Sequence, residues 1–245
     1  MSNNSEFFNA CYGGHLEMAK LLVQIDPSAV NISANDDFAF RSACQNGHLE
    51  VAKWLIDIHP SINISANYES AFRYACYNGY LEVAKWLVQL HPSLNVSINN
   101  NSAFRYACIY GHLEVAKWLM ENYPSVENVF CNNISAFRFA CSNGHLEVAK
   151  WLIEIKPSAV NVSACNDFAF RYACSNGHLE IAKWLVHIKP SDINISANDD
   201  FAFRHACSNG HLEVAKWLVE IRPYNYILEL DSCQSQILSW KIIHT

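Results

Sequence analysis

The sequence predicts an all-α solenoid of seven helix-turn-helix units, on three observations. Gly-His-Leu begins at Gly14, Gly47, Gly111, Gly144, Gly177 and Gly210, and Gly-Tyr-Leu at Gly79, so these glycines stand 33, 32, 32, 33, 33 and 33 residues apart. An Ala-Cys pair keeps the same step, from Ala10-Cys11 through to Ala206-Cys207. Every interval holds two segments whose apolar residues fall at helical spacing. One such pair cannot bury both of its apolar stripes, whereas a stack of identical pairs can, because each closes the face of the next. The repeat array is assigned to residues 1–222, and residues 223–245 to a C-terminal cap or tail.

The second unit shows the pattern. In Phe38 to Gly47, the residues Phe40, Ala43 and Cys44 stand at i, i+3 and i+4 and make one apolar face. Gly47 ends this helix, because glycine tolerates positive φ. The second helix runs from Leu49 to Ile58, with Leu49, Ala52, Leu55 and Ile56 as its main stripe and Val51, Trp54 and Ile58 as another. A helix apolar on two sides packs against two neighbours. His59-Pro60 stops it, since the residue before proline is pushed out of the helical region. The Asn- and Ser-rich residues that follow form a turn-like connector. The ends deviate as caps must. Leu21 replaces the Trp of the other units, and Phe8 their Arg. In the tail, Asp231 or Ser232 could start a helix whose Ile237, Leu238, Trp240 and Ile242 cover the last unit, or the tail could join two copies.

Composition narrows the function. The 245 residues are 51% apolar and 16% charged, with a net charge of -6. A chain this apolar is not disordered. Mildly acidic and without a Lys/Arg run, it has no electrostatic grip on nucleic acid or an anionic membrane. No apolar run approaches the roughly 18 residues that span a bilayer. The stretch Met1-Ser2-Asn3-Asn4-Ser5-Glu6 has no secretory-signal pattern, and Ser2 excludes myristoylation, so the expected location is cytoplasmic.

The recurring columns read as scaffold. Seven of ten cysteines lie in the Ala-Cys column and act as small buried apolar residues. Ten unpaired thiols are expected, and with them a reducing compartment. There is no Cys-x-x-Cys, and the histidines after the glycines are spread one per unit, so no metal or other cofactor is expected. Asn31, Asn63, Asn95, Asn161 and Asn194 begin Asn-x-Ser sequons, read here as turn chemistry. The arginines 41, 73, 105, 138, 171 and 204 follow Asp37, Glu69, Asn101, Ile134, Asp167 and Asp200 by four residues. Acid and Arg can pair there, or the Arg can take backbone carbonyls. Arg105 and Arg138 lack the acid, so the joint around the fourth and fifth repeats is expected to be softer. The six tryptophans from Trp54 to Trp217 pack between repeats, and Glu50 and Lys53, with their equivalents, are solvated i,i+3 pairs. Because these charges recur in every unit, no unique catalytic constellation emerges.

The period of 33 and the motif Gly-His-Leu-Glu-Val-Ala-Lys-Trp-Leu resemble the ankyrin repeat, as do connector pairs such as Val30-Asn31 and Ile62-Asn63. The first helix departs from that pattern, with Ser/Phe-Ala-Phe-Arg in place of the family's Thr-Pro-Leu-His. The Asn-rich, Trp-bearing style is similar to that of ankyrin proteins of large DNA viruses of amoebae, which implies the cytoplasm of a host cell. The resemblance implies short finger loops, no catalytic centre, and a partner protein held on the concave groove. An adaptor bringing substrates to a host ubiquitin ligase is the alternative.

In a repeat protein the positions that vary are free to serve a partner. The residues after each Arg and after each Cys vary most, and they share one face of the first helix. Aromatic or large members concentrate in Tyr68, Tyr74, Tyr77, Tyr106, Ile109, Tyr110, Phe139 and Tyr172. These are the candidate partner-binding residues, centred on the third to fifth repeats, because exposed tyrosines give large contact area at low entropic cost. The alternative is that the rings only shield one another. The chain is expected to be a monomer, with dimerisation through the tail as the competing state.

Overall fold

The structure is a computed structural model that describes residues 3–123, 134–155, 157 and 160–222. Among these residues there are fourteen helices and no strand. The first helices of the seven pairs are α1 (Asn3–Tyr12), α3 (Ala34–Gln45), α5 (Ala66–Tyr77), α7 (Ile98–Ile109), α9 (Ile134–Ser142), α11 (Ala164–Ser175) and α13 (Ala197–Ser208). The second helices are α2 (Leu16–Ile25), α4 (Leu49–Ile58), α6 (Leu81–Leu90), α8 (Leu113–Asn122), α10 (Leu146–Ile155), α12 (Leu179–Ile188) and α14 (Leu212–Ile221). The all-α repeat fold is the one the period demanded. The tail residues assigned to a cap lie outside the described residues.

The chain forms two compact units, one of Met1–Ala107 with His112–Val129 and one of Cys108–Gly111 with Phe130–Thr245. Within the first, α3 packs between α1 and α5; within the second, α11 packs between α9 and α13. First helices therefore stack on first helices, as the two-sided apolar pattern requires.

Each first helix ends in a Schellman turn. In α3 the His48 N–H bonds the Ala43 carbonyl at 2.9 Å and the Gly47 N–H bonds that of Cys44 at 3.2 Å, with Gly47 at φ 80°. The start of the helix was not foreseen. Asn35, Asp36 and Asp37 are all left-handed, at φ 56°, 54° and 57°, before the right-handed helix begins. The triplets Asn99–Asn101, Cys165–Asp167 and Asn198–Asp200 repeat this turn. Left-handed residues normally occur singly, and Asn and Asp tolerate the region best. The Asn/Asp-rich composition of the connector is what makes the turn accessible.

The core is a column of wholly buried phenylalanines, among them Phe7, Phe40, Phe72, Phe137 and Phe170, backed by Leu55, Leu87 and their equivalents. Each of these phenylalanines meets a Trp on the second helix of the next repeat: Phe7–Trp54, Phe40–Trp86, Phe72–Trp118, Phe137–Trp184 and Phe170–Trp217 lie 6.2–6.4 Å apart between ring centroids. The second helix corrects the expected stripe. Val51, Ala52 and Leu55 are buried, Leu49 and Ile56 are half-buried, and Ile58 is 39% exposed. Ile58 lies in the last turn, where the stack no longer covers the helix. At the N-terminal end Leu21 is exposed, while the Phe8 ring packs on Phe38 at 5.5 Å.

Cys11, Cys44, Cys76, Cys108, Cys141 and Cys174 are free and buried, as the column predicts. Burial pushes the Cys11 thiol up to about 12, and the other five thiols higher still, which keeps them protonated and inert. The expectation of ten unpaired thiols fails at Cys207, which is disulfide-bonded. The thiol count is thus no guide to a reducing compartment.

Candidate functional site

The candidate surface is built on the left-handed turn. In the second, sixth and seventh repeats the turn leaves two backbone carbonyls aimed at the following helix, and the column arginine takes them. Arg41 donates from Nε to the Asp36 carbonyl and from Nη2 to that of Asn35, both at 2.8 Å. Arg171 does the same to Asn166 and Cys165 at 2.6 and 3.2 Å, and Arg204 to Asp199 and Asn198 at 2.6 and 3.2 Å. The arginines therefore use carbonyls rather than the acid four residues earlier. The acids face the next repeat instead. Asp37 Oδ2 accepts the Asn63 N–H at 2.9 Å, and Asp167 Oδ2 that of Asn194 at 3.3 Å. Burial raises the Asp167 carboxyl above its ordinary range, against the opposing pull of that N–H and of Arg171. Arg105 follows a neutral Asn101, and its Nε is buried without a hydrogen-bond partner.

The column guanidiniums also lie beside aromatic rings. Arg73 stands 5.8 Å from the Tyr74 centroid and Arg105 5.8 Å from that of Tyr106. Arg138 stands 5.1 Å from Phe168, and Arg171 5.6 Å from Tyr172 and 4.9 Å from Phe201. These distances are within cation–π reach.

The first compact unit brings three predicted residues together. Tyr74 meets Tyr77 at 6.1 Å, and Tyr77 meets Tyr106 at 5.6 Å, both edge to face. Tyr74 remains 40% exposed. The side chain of Tyr68 lies outside the described residues. In the second compact unit Phe139, 39% exposed, begins a chain of rings. It runs from Phe139 to Phe168 at 5.5 Å, Phe168 to Tyr172 at 4.1 Å, Tyr172 to Phe201 at 5.2 Å, and Phe201 to His205 at 3.7 Å. Ile109 is half-buried, and Tyr110 is exposed.

Phe38, Phe168 and Phe201 are not among the residues that sequence variation singles out. The available signal was spacing: each stands four residues before a variable position (Ser42, Tyr172, His205) and so shares its face.

A second constellation joins consecutive repeats. Four of the Asn residues that precede a glycine donate Nδ2–H to the preceding repeat: Asn78 to the Gln45 carbonyl at 2.8 Å, Asn143 to Ile109 at 2.9 Å, Asn176 to Ser142 at 2.8 Å, and Asn209 to Ser175 at 2.8 Å, whereas Asn46 donates to Ser42 of its own helix at 2.8 Å. The His after the glycine reaches the same region, with His48 Nε2 at 3.0 Å from the Tyr12 carbonyl. The histidines are inter-repeat bonds rather than helix caps. Tyr110 occupies the Asn position of its repeat and Tyr80 the His position, so scaffold donors give way to tyrosines there. The sequons are turns, as expected: Asn63, Asn95, Asn161 and Asn194 each accept the N–H of the Ser two residues on, at 3.1 Å. The Glu–Lys pairs form throughout, from Lys20–Glu17 at 2.8 Å to Lys216–Glu213 at 3.1 Å, all on the surface.

Helix pairs that close each other's apolar faces, fastened by side-chain bonds to backbone, define a helical repeat stack. A family model describing ankyrin repeats in three copies matches residues 43–129 and 137–228, and one describing many copies matches residues 7–56. The chain belongs to the ankyrin-repeat family. No curated protein matches it. Ankyrin repeats generally mediate protein–protein interaction. No helix among the described residues is long and apolar enough to cross a membrane.

Proposed function

We propose that this chain is a non-enzymatic scaffold that holds a partner protein on the aromatic and arginine-bearing groove face of its first helices, in the cytoplasm of a host cell. The observation that carries the reading is Tyr74, which touches Tyr77 yet leaves two-fifths of its surface open, beside Arg73. A ring placed only to shield its neighbours would be covered by them. Tyr and Arg are the side chains that most often anchor protein interfaces, because they give large, rigid contact area and directed hydrogen bonds. Tyr110 supports the same reading, since an exposed ring there replaces an inter-repeat amide donor. The residues proposed to carry it are Tyr68, Tyr74, Tyr77 and Tyr106 in the first compact unit and Ile109, Tyr110, Phe139 and Tyr172 in the second.

The test compares the full chain with a triple variant, Tyr74→Ala, Tyr77→Ala and Tyr106→Ala, as baits in the native cell. Partners identified by mass spectrometry should vanish with the variant while its melting curve stays close to that of the parent. Equal capture by both baits overturns the reading. Ligase subunits among the lost partners would turn it toward the adaptor role.

A further inference from the structure

We infer that His112, His178 and His211, which open α8, α12 and α14, are proton-sensitive clasps, so that acidification loosens the joints each makes with the preceding repeat inside its compact unit. The geometry is repetitive. Each ring lies against the glycine of the preceding repeat so closely that a Cβ on Gly14 would come within 2.4 Å of His48 Nδ1, one on Gly79 within 2.4 Å of His112 Nδ1, and one on Gly177 within 2.5 Å of His211 Nδ1. His178 covers Gly144 in the same way. A carbonyl oxygen only accepts, so the nitrogen facing it carries the hydrogen. In His48 that nitrogen is Nε2, bonded to Tyr12. The other nitrogen, Nδ1, lies over Gly14.

The surroundings do not favour the charged form. Facing His112 are the Tyr77 carbonyl and Gly79; facing His178 are the Ser142 carbonyl and Gly144, with the His211 ring from the following repeat; His211 faces Gly177 and His178. The nearest acids along these helices, Glu114, Glu180 and Glu213, are each held by Lys117, Lys183 and Lys216. Burial accordingly lowers His112, His178 and His211 below the ordinary histidine value, outweighing the carbonyl bonds of the first two, and the His211 charge lowers His178 further. The sign follows. Below about pH 6.5 the unfolded chain takes up protons that the folded joints resist, so stability falls as pH drops through this range.

The chain carries its own control. At Gly47 the equivalent ring is that of Tyr80, which occupies the same place, 2.5 Å from where a Cβ on that glycine would stand, and has no imidazole. Tyrosine is therefore a tolerated substitute, and the experiment uses both directions. Thermal midpoints of the full chain are compared at about pH 7.5 and about pH 5.5, on either side of the ordinary histidine range. In the triple variant His112→Tyr, His178→Tyr and His211→Tyr, the acid-induced fall in midpoint should shrink by about 2–4 °C. In Tyr80→His, which leaves the rest of the stack untouched, the fall should grow. The same acid-induced fall in the parent, the triple variant and Tyr80→His would overturn the proposal. Should the triple variant fail to fold, Tyr80→His decides alone, a larger acid-induced fall supporting the clasp and an unchanged one refuting it.

Discussion

The carboxylate of Asp37, at the start of α3, accepts the backbone N–H of Asn63 at 2.9 Å and so ties one repeat to the connector that leads into the next. Its other oxygen, Oδ1, is buried without a partner. A bond to a charged acceptor is worth about 1.5–3 kcal/mol, and the desolvated second oxygen offsets part of that. Asp37→Ala is therefore expected to cost about 1–2 kcal/mol, read as a lower urea midpoint with an unchanged slope. An unaltered midpoint would mean that the tie contributes nothing.

Asp167 makes the same contact but with a different balance. Burial raises its carboxyl, and the N–H of Asn194 and the charge of Arg171 only partly oppose that. A carboxyl raised in the folded state holds its proton more tightly than in the unfolded chain. Its contribution is thus lost as pH rises through the window above the ordinary aspartate value. Asp167→Asn keeps an acceptor for Asn194 and removes the buried charge; the chain carries a neutral Asn at the equivalent position 101. The variant should be as stable as the parent or more so at pH 7. Its advantage should shrink on acidification into the carboxylate range. A loss of stability at pH 7 that persists in acid would show that the charge itself is required.

Arg171 is 6% exposed, bonds two carbonyls of the left-handed turn, and lies 4.9 Å from the Phe201 ring. A lysine keeps the charge but cannot present a planar fork to two acceptors. Arg171→Lys should cost about 1–3 kcal/mol, from the lost bonds of a buried guanidinium to the turn carbonyls. Calorimetry checks this, with Arg204→Lys as the comparison: Arg204 makes the same two bonds from an exposed position and should lose less. Equal losses at the two sites would mean that burial is not what makes the fork matter.

The repeat step, the two helices of each pair, the Gly stop and the buried Phe and Cys columns were all legible in the sequence, because seven copies average out local ambiguity. The three consecutive left-handed residues at Asn35–Asp37 were not, since no propensity rule anticipates more than one such residue in a row. That turn decides where Arg41 points, so the partners of the arginines were equally hidden, and the choice between acid and carbonyl stayed open. In the candidate surface, Tyr74, Tyr77 and Tyr106 were found because they vary along the repeat. Phe168 and Phe201 were missed because only the positions after the Arg and after the Cys were read as variable, although their own position varies between Ser and Phe. Ile58 was misassigned for another reason, as periodicity places a residue on a face but says nothing of how far along the helix that face stays covered.

The fourth repeat departs from its siblings at one buried donor. Arg105 Nε has no partner, whereas Arg171 Nε bonds Asn166. An orphaned buried donor costs about 1–3 kcal/mol, which lowers the local opening free energy by a similar amount. Amides of Ser102 to Ala107 in α7 should exchange about tenfold faster with deuterium than those of Phe168 to Ala173 in α11. Slower exchange in α7 would remove the case for a softer joint at this repeat.

Gly177 and Gly210 separate two reasons for glycine at the end of the first helix. Both are left-handed, at φ 83° and 81°. At Gly177 an added Cβ would also meet His211 Nδ1 at 2.5 Å, whereas at Gly210 nothing among the described residues lies within 4 Å of it. Gly210→Ala should therefore cost only the left-handed penalty, about 1–2 kcal/mol. Gly177→Ala carries that penalty and must also push the imidazole off its seat, so it should cost more, with the excess read as a larger drop in thermal midpoint. Trimming the ring resolves the two terms: in the double variant Gly177→Ala with His211→Ala, the excess should disappear, leaving a non-additive cycle. Strict additivity in that cycle would show that the glycine serves the backbone turn alone and that the imidazole above it bears no steric load.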